Sequence, residues 1–262
     1  MLRFSIVSRP TADGRPDDMG ESRALGGFLA SRSEVSFILK MAKLAEAAPA
    51  VGHRLSPQQL LLRVGMVVLV GALHDYLEEL MEEFGDFLGS DFDKLSPIGQ
   101  KYITLQIHGR LAGAFADSTE EEMGDPNEQK KFLTAVKECS GWLTDPTKLS
   151  ASTSRTRIEG FFKFGSEAIN RALTQFRDDG TNFFGWLATD PTYTTYFGRL
   201  DSAIAMRNEV AHGAVRSQMT MHEFRTHRVT VNRFVRKSET YVWPTLETAR
   251  LASTSAPTPA TP

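Results

Sequence analysis

Val64-Gly65-Met66-Val67-Val68-Leu69-Val70-Gly71-Ala72-Leu73 puts apolar side chains on every side of a helix, and a helix that is apolar all round belongs inside a structure, not on its surface. The run of ten residues is too short to cross a bilayer about 30 Å thick as a helix. It therefore reads as the centre of a helical bundle. Outward from it, the segment starts at Ser56-Pro57, where serine supplies a cap and proline suits the first helical position. Helical periodicity then continues to residue 88. The segments 21–47, 97–117, 127–143, 156–178, 192–213 and 221–250 have the same periodicity, separated by breakers such as Ser96-Pro97, Asp125-Pro126 and Asp190-Pro191. No strand pattern survives, so the expected fold class is all-α, an up-and-down helical bundle.

Residues 8–20 are dense in turn formers and mark 1–20 as a flexible N-terminal arm. Residues 251–262, rich in Pro, Ser, Thr and Ala, read as a disordered tail. A single helical domain over 21–250 lies between them. With 41% apolar residues the chain can bury a substantial core. The net charge of −2 argues against a protein that coats nucleic acid nonspecifically. Cys139 is the one cysteine, which excludes an internal disulfide and a cysteine zinc site and reads as a small buried hydrophobe. The N-terminus shows no apolar signal region. The expected location is the cytoplasm, without a membrane partner.

Charge is unevenly spread. Residues 199–250 hold nine Lys and Arg against five acids, whereas residues 75–93 hold eight acids and no base; that asymmetry hints at an anionic partner for the basic part. The acidic run Glu78-Glu79-x-x-Glu82-Glu83 reads as the solvated face of an amphipathic helix. In the basic helix 222–237, Val229, Phe234 and Val235 are available for the core. Its Arg225 and Arg228, with Arg216 just before it, have two open roles: holding an RNA backbone, or pairing with the acidic helix.

The chemistry-bearing stretch is Arg207-Asn208-Glu209-Val210-Ala211-His212-Gly213. It joins a permanent cation to the one side chain that exchanges protons near neutral pH, the minimum equipment for cleaving a phosphodiester without a metal. Asn208 and His212 share one helical face at i,i+4, while Arg207 lies about 140° from His212 around the axis. Gly213 reads as the residue that ends the helix, leaving His212 in the last turn beside unpaired carbonyls. The alternative is a surface helix end whose basic side chains merely satisfy those carbonyls. No HExxH motif or acidic cluster accompanies the remaining histidines, so a metal site has little support, and no nucleotide-cofactor loop occurs. Phe161, Phe162, Phe164, Phe183, Phe184 and Trp186 are core candidates first and base-stacking candidates second.

Leu200-Asp201 followed by the Arg207–Gly213 stretch, then Thr220 and another long helix, resembles the C-terminal signature of the HEPN superfamily. Val67-Val68-Leu69-Val70-Gly71-Ala72-Leu73-His74-Asp75-Tyr76-Leu77-Glu78-Glu79-Leu80 is similar to the hydrophobic second helix of that superfamily, particularly its RiboL-PSP branch. Residues 95–198 match only as generic helix. The resemblance implies a HEPN-like bundle with extra helices inserted between the second core helix and the motif-bearing helix. It also implies a metal-independent endoribonuclease that needs no cofactor, with Arg207 and His212 catalytic. Two copies would meet in a homodimer to form one composite site, and paired copies of His212 would fill the acid and base roles. Many members are bacterial toxins or antiviral abortive-infection effectors, which implies an antitoxin or regulatory protein as a further partner. The alternative in the same family is a noncatalytic module that binds RNA, nucleotide or a protein. The chain departs from the family pattern twice. His74, with Asp75 beside it, stands where a Glu is common, and Ala214 replaces the Tyr of members neutralised by a partner nucleotidyltransferase. Asn208, His74 and Asp75 are thus supporting candidates; for His74 a purely structural role is the competing reading.

Overall fold

The computed structural model describes residues 21–47, 55–87, 93, 95–116, 125–151, 161–177, 181–190, 193, 196–213 and 219–255. Among them the structure is all-helical, with no strand. Residues 1–20 and 256–262, expected as arm and tail, lie outside the described residues.

The starts of the helices follow local chemistry. Helix α1 (Arg23–Leu44) is capped by Ser22, whose hydroxyl accepts the Leu25 N–H at 3.0 Å. Helix α2 (Pro57–Asp86) opens with Ser56 accepting the Gln59 N–H at 3.2 Å. Ser96 does the same for Gly99 ahead of α3 (Pro97–Ala116), and Asp125 accepts the Asn127 N–H ahead of α4 (Pro126–Thr144). In each case a side-chain oxygen meets one of the N–H groups that a helix start leaves without an acceptor. The remaining helices are α5 (Thr147–Ala151), α6 (Phe161–Phe164), α7 (Ser166–Thr174), α8 (Phe183–Leu187), α9 (Tyr196–Ala211) and α10 (Met221–Ser255). A reciprocal cap opens α10: Thr220 Oγ1 accepts the Glu223 N–H at 3.1 Å while Glu223 accepts the Thr220 N–H at 2.7 Å.

Helix α2 is the central element, packed along α1 and touching α5, α9 and α10. Met66, Val70, Leu73, Tyr76, Leu80 and Phe84 are fully or almost fully buried along it and belong to one apolar cluster that extends from Ala24 to Leu246. By length and composition α2 could pass for a membrane-crossing helix, a wider apolar window than the ten-residue run suggests. Inside the bundle, 56% of that window is buried. Its first turns are less enclosed than all-round apolarity implies, since Leu60 and Val64 face outward.

Several expectations are corrected. The helix expected over 156–178 is broken at Gly165, whose φ of +51° suits glycine and separates α6 from α7. Asp201 then caps α7 from a distance, accepting the Ser166 N–H at 2.7 Å. The short helices α5 and α8 lie in stretches read as connections. Helix α10 runs past residue 250 through Leu251 to Ser255, with Pro244 inside it, so the start of the expected tail is helical. Finally, Val229 is 43% exposed, while Phe234 and Val235 are buried as expected.

The acidic run is the largest departure, for Glu78 and Glu83 are buried. The amino-terminal end of α1 comes to the turn that bears Glu83, bringing N–H donors and the positive end of its dipole. Glu83 accepts the Ala24 N–H at 3.2 Å. Glu239 of α10 completes the arrangement, accepting the Ser22 N–H at 3.3 Å, the Ser22 hydroxyl and the Tyr76 hydroxyl at 3.1 Å. Burial raises the Glu239 carboxyl pKa despite those donors, with the Glu83 charge adding to the rise. It also pushes the Tyr76 hydroxyl well above its ordinary value, reinforced by Glu239.

Candidate functional site

Helix α9 ends as its sequence demands. The His212 N–H donates to the Asn208 carbonyl at 3.0 Å, the Gly213 N–H donates to the Val210 carbonyl at 3.1 Å, and Gly213 turns the chain at φ +75°. The last helical residue is Ala211, so His212 sits at the cap, one position beyond the expected last turn, with its side chain exposed. The Arg207 and Asn208 side chains are half-buried.

Phe162, on the short helix α6, is where the candidate residues gather. The Arg207 guanidinium carbon lies 3.9 Å from the centroid of its ring, within the range of a cation–π contact. Asn208 Nδ2 donates to the Phe162 carbonyl at 2.6 Å, and Asn208 Oδ1 accepts from Arg207 Nη1 at 3.3 Å. From α2, the His74 ring stacks on Phe162 with centroids 5.1 Å apart and an interplanar angle of 28°. Asn208 thus fastens the end of α9 to α6 and steers the guanidinium onto the ring. His74 and Arg207 meet through that ring. The Arg207 Nε is buried without an acceptor, and no carboxylate pairs with Arg207 or His212 among the described residues.

The supporting candidates divide. His74 Nε2 lies 3.6 Å from a carboxylate oxygen of the buried Glu78, one turn along α2. Asp75 is exposed. The ligand atoms of His74, Asp75 and Glu78 lie within 4.8 Å of one another, a grouping able to hold a cation that sequence spacing did not flag. Arg225 is exposed and lines a pocket between α9 and α10. Arg228 is half-buried and reaches the Ser36 hydroxyl of α1 at 3.4 Å, so it serves the packing of α10 on α1. Arg216 lies outside the described residues.

No family model, curated protein or solved structure matches this chain. Cys139 is buried in the core, and burial raises its thiol pKa, which lowers the thiolate fraction and with it the reactivity. His227 is also buried, which lowers its pKa against an opposing hydrogen bond to the Arg199 backbone. Phe162 is the residue that sequence reasoning grouped with core and stacking aromatics without singling it out. Its only signal was an aromatic cluster just ahead of a glycine, which does not say which helix end will meet it.

Proposed function

We propose that this chain is a metal-independent endoribonuclease of the HEPN kind. The RNA 2′-OH attacks its own adjacent phosphate, His212 moves protons as general base or acid, and Arg207 offsets charge on the phosphorane-like transition state. The products are a 2′,3′-cyclic phosphate and a 5′-OH, and DNA resists because it lacks the 2′-OH. Asn208 acts as a positioning residue, holding Arg207 through its Oδ1 while its Nδ2 is tied to the Phe162 carbonyl. Two copies of the chain pair their α9 ends so that one His212 serves as base and the other as acid. The cellular role is that of a bacterial toxin or antiviral effector restrained by an antitoxin or regulatory protein, in the cytoplasm.

The observation that carries this reading is the unneutralised pair at the end of α9: an exposed imidazole and a half-buried guanidinium, neither facing a carboxylate among the described residues. A cation already spent on a carboxylate would have little left for a phosphate. One observation favours a second reading, a noncatalytic module that binds RNA, nucleotide or protein: the guanidinium lies on Phe162, a contact that also serves packing. Incubating wild-type and His212→Ala protein with total RNA in EDTA separates them. Cleavage by wild type alone, leaving cyclic-phosphate ends, is expected. Equal cleavage by both proteins refutes the role of His212, and cleavage that EDTA abolishes assigns the chemistry to a cation, for which His74, Asp75 and Glu78 are the ligands to test.

A further inference from the structure

A pocket of about 240 Å³ opens between the amino-terminal part of α9 and the first half of α10. Tyr196 and Arg199 form one wall, and His222, Arg225, Thr226, Val229, Thr230 and Arg233 lie on the other. The α10 residues recur at three- and four-residue steps, so one face of the helix supplies that whole wall. No carboxylate lines the pocket. Arg199, Arg225 and Arg233 also form no ion pair among the described residues. Carboxylates on the flanking turns are engaged elsewhere: Glu223 accepts from the Thr220 N–H and hydroxyl, and Asp190 lies 3.3 Å from Lys237.

Three arginines line one concavity that has no carboxylate among its lining residues, and a cleft lined by one sign of charge concentrates the field on an incoming ion of the other sign. The guanidinium fork matches the oxygens of a phosphate in planar, paired hydrogen bonds. Arg233 is held in place, since its Nη1 donates to the Tyr196 hydroxyl and its guanidinium lies 5.9 Å from that ring. Tyr196 is itself stacked on Tyr193 at 4.7 Å. Having accepted from Arg233, the Tyr196 hydroxyl keeps its own proton to donate. The volume falls below the roughly 300 Å³ at which pockets begin to hold drug-sized molecules, and suits a phosphate with its attached sugar.

We propose that this pocket is a phosphate-ester site in which Arg199, Arg225 and Arg233 hold the phosphate oxygens and the Tyr196 hydroxyl donates to one of them. The ester belongs either to an RNA backbone or to a free phosphate compound. In the first case the site rests on the ribonuclease reading and serves as an anchor on the same helix as Arg207, which follows Arg199 after a rise of about 12 Å.

The test is made in the His212→Ala background, so that binding is read without cleavage. The probes are a short labelled single-stranded oligouridylate and inorganic pyrophosphate. The variants are Arg199→Gln with Arg225→Gln, both exposed positions, and the control is Arg236→Gln, exposed on α10 outside the pocket. Losing two charge-assisted contacts is expected to weaken binding by at least about tenfold relative to the control. For the oligonucleotide the salt slope should also fall by about 0.7 per lost phosphate contact. Weakening with both probes places an RNA backbone in the pocket, and weakening with pyrophosphate alone assigns a free phosphate compound; either supports the site. Affinities equal to those of the control, or no binding of either probe by the parent protein, overturn it. The ribonuclease reading fails on a separate result, intact RNA with wild-type protein.

Discussion

Asn208→Ala removes a side chain that both ties α9 to α6 and orients Arg207. Two hydrogen bonds go, to the Phe162 carbonyl at 2.6 Å and from Arg207 at 3.3 Å. A neutral hydrogen bond contributes about 1 kcal/mol net, and the longer, partly solvated bond from Arg207 about as much again, so the expected loss is about 2 kcal/mol. For a chain of this size that corresponds to a fall of about 4–8 °C in Tm. Asn208→Asp sharpens the test. It keeps and strengthens the acceptor for Arg207, but it sets a carboxylate oxygen against the Phe162 carbonyl. If the tie to α6 matters more than the contact with Arg207, Asp is at least as destabilising as Ala despite its new ion pair. Urea unfolding followed by circular dichroism reads both variants. A loss under about 0.5 kcal/mol for Ala, or wild-type stability for Asp, refutes the role assigned to Asn208, since changes of that size are typical of surface substitutions that touch nothing.

Glu239→Gln is expected to change how stability depends on pH. Burial raises the Glu239 pKa in the folded state, so its contribution is fully present below the unfolded carboxyl value of about 4.3 and is lost as pH rises through the folded value. The Gln variant lacks this term. Its Tm relative to wild type should therefore climb between acid and neutral pH; a constant difference across that range contradicts the assignment. Gly165→Ala places a side chain at φ +51° and against the Asp201 carboxylate that caps α7. A loss of about 1–3 kcal/mol is expected from backbone strain alone, and an unchanged unfolding midpoint would show that the break between α6 and α7 is free to relax.

Much of the local structure was legible because its causes are local. Ser56-Pro57, Ser96-Pro97 and Asp125-Pro126 mark helix starts, since a cap acts on an N–H two or three residues away. Gly213 marks the end of α9, because a left-handed residue there closes the last carbonyls. The ten-residue apolar run marks α2 as the central helix. The break at Gly165 was hidden because a glycine inside a periodic pattern is tolerated as often as it is a stop. Here the stop depends on Asp201, supplied by another helix.

The sequence by itself determined an all-helical chain, the starts of α2, α3, α4 and α10, the central place of α2 and the presentation of His212 at a helix end, most of which follow from interactions within a few residues. Tertiary structure alone decided what the charges do. Periodicity assigns Glu78 and Glu83 to a polar face without saying that both will be buried, Glu83 against the Ala24 N–H at the start of α1 and Glu78 beside His74. The same holds for Phe162 beneath Arg207 and for the three arginines around one pocket. An ionic or aromatic contact has no period along the chain, and its partner is fixed only when the helices pack.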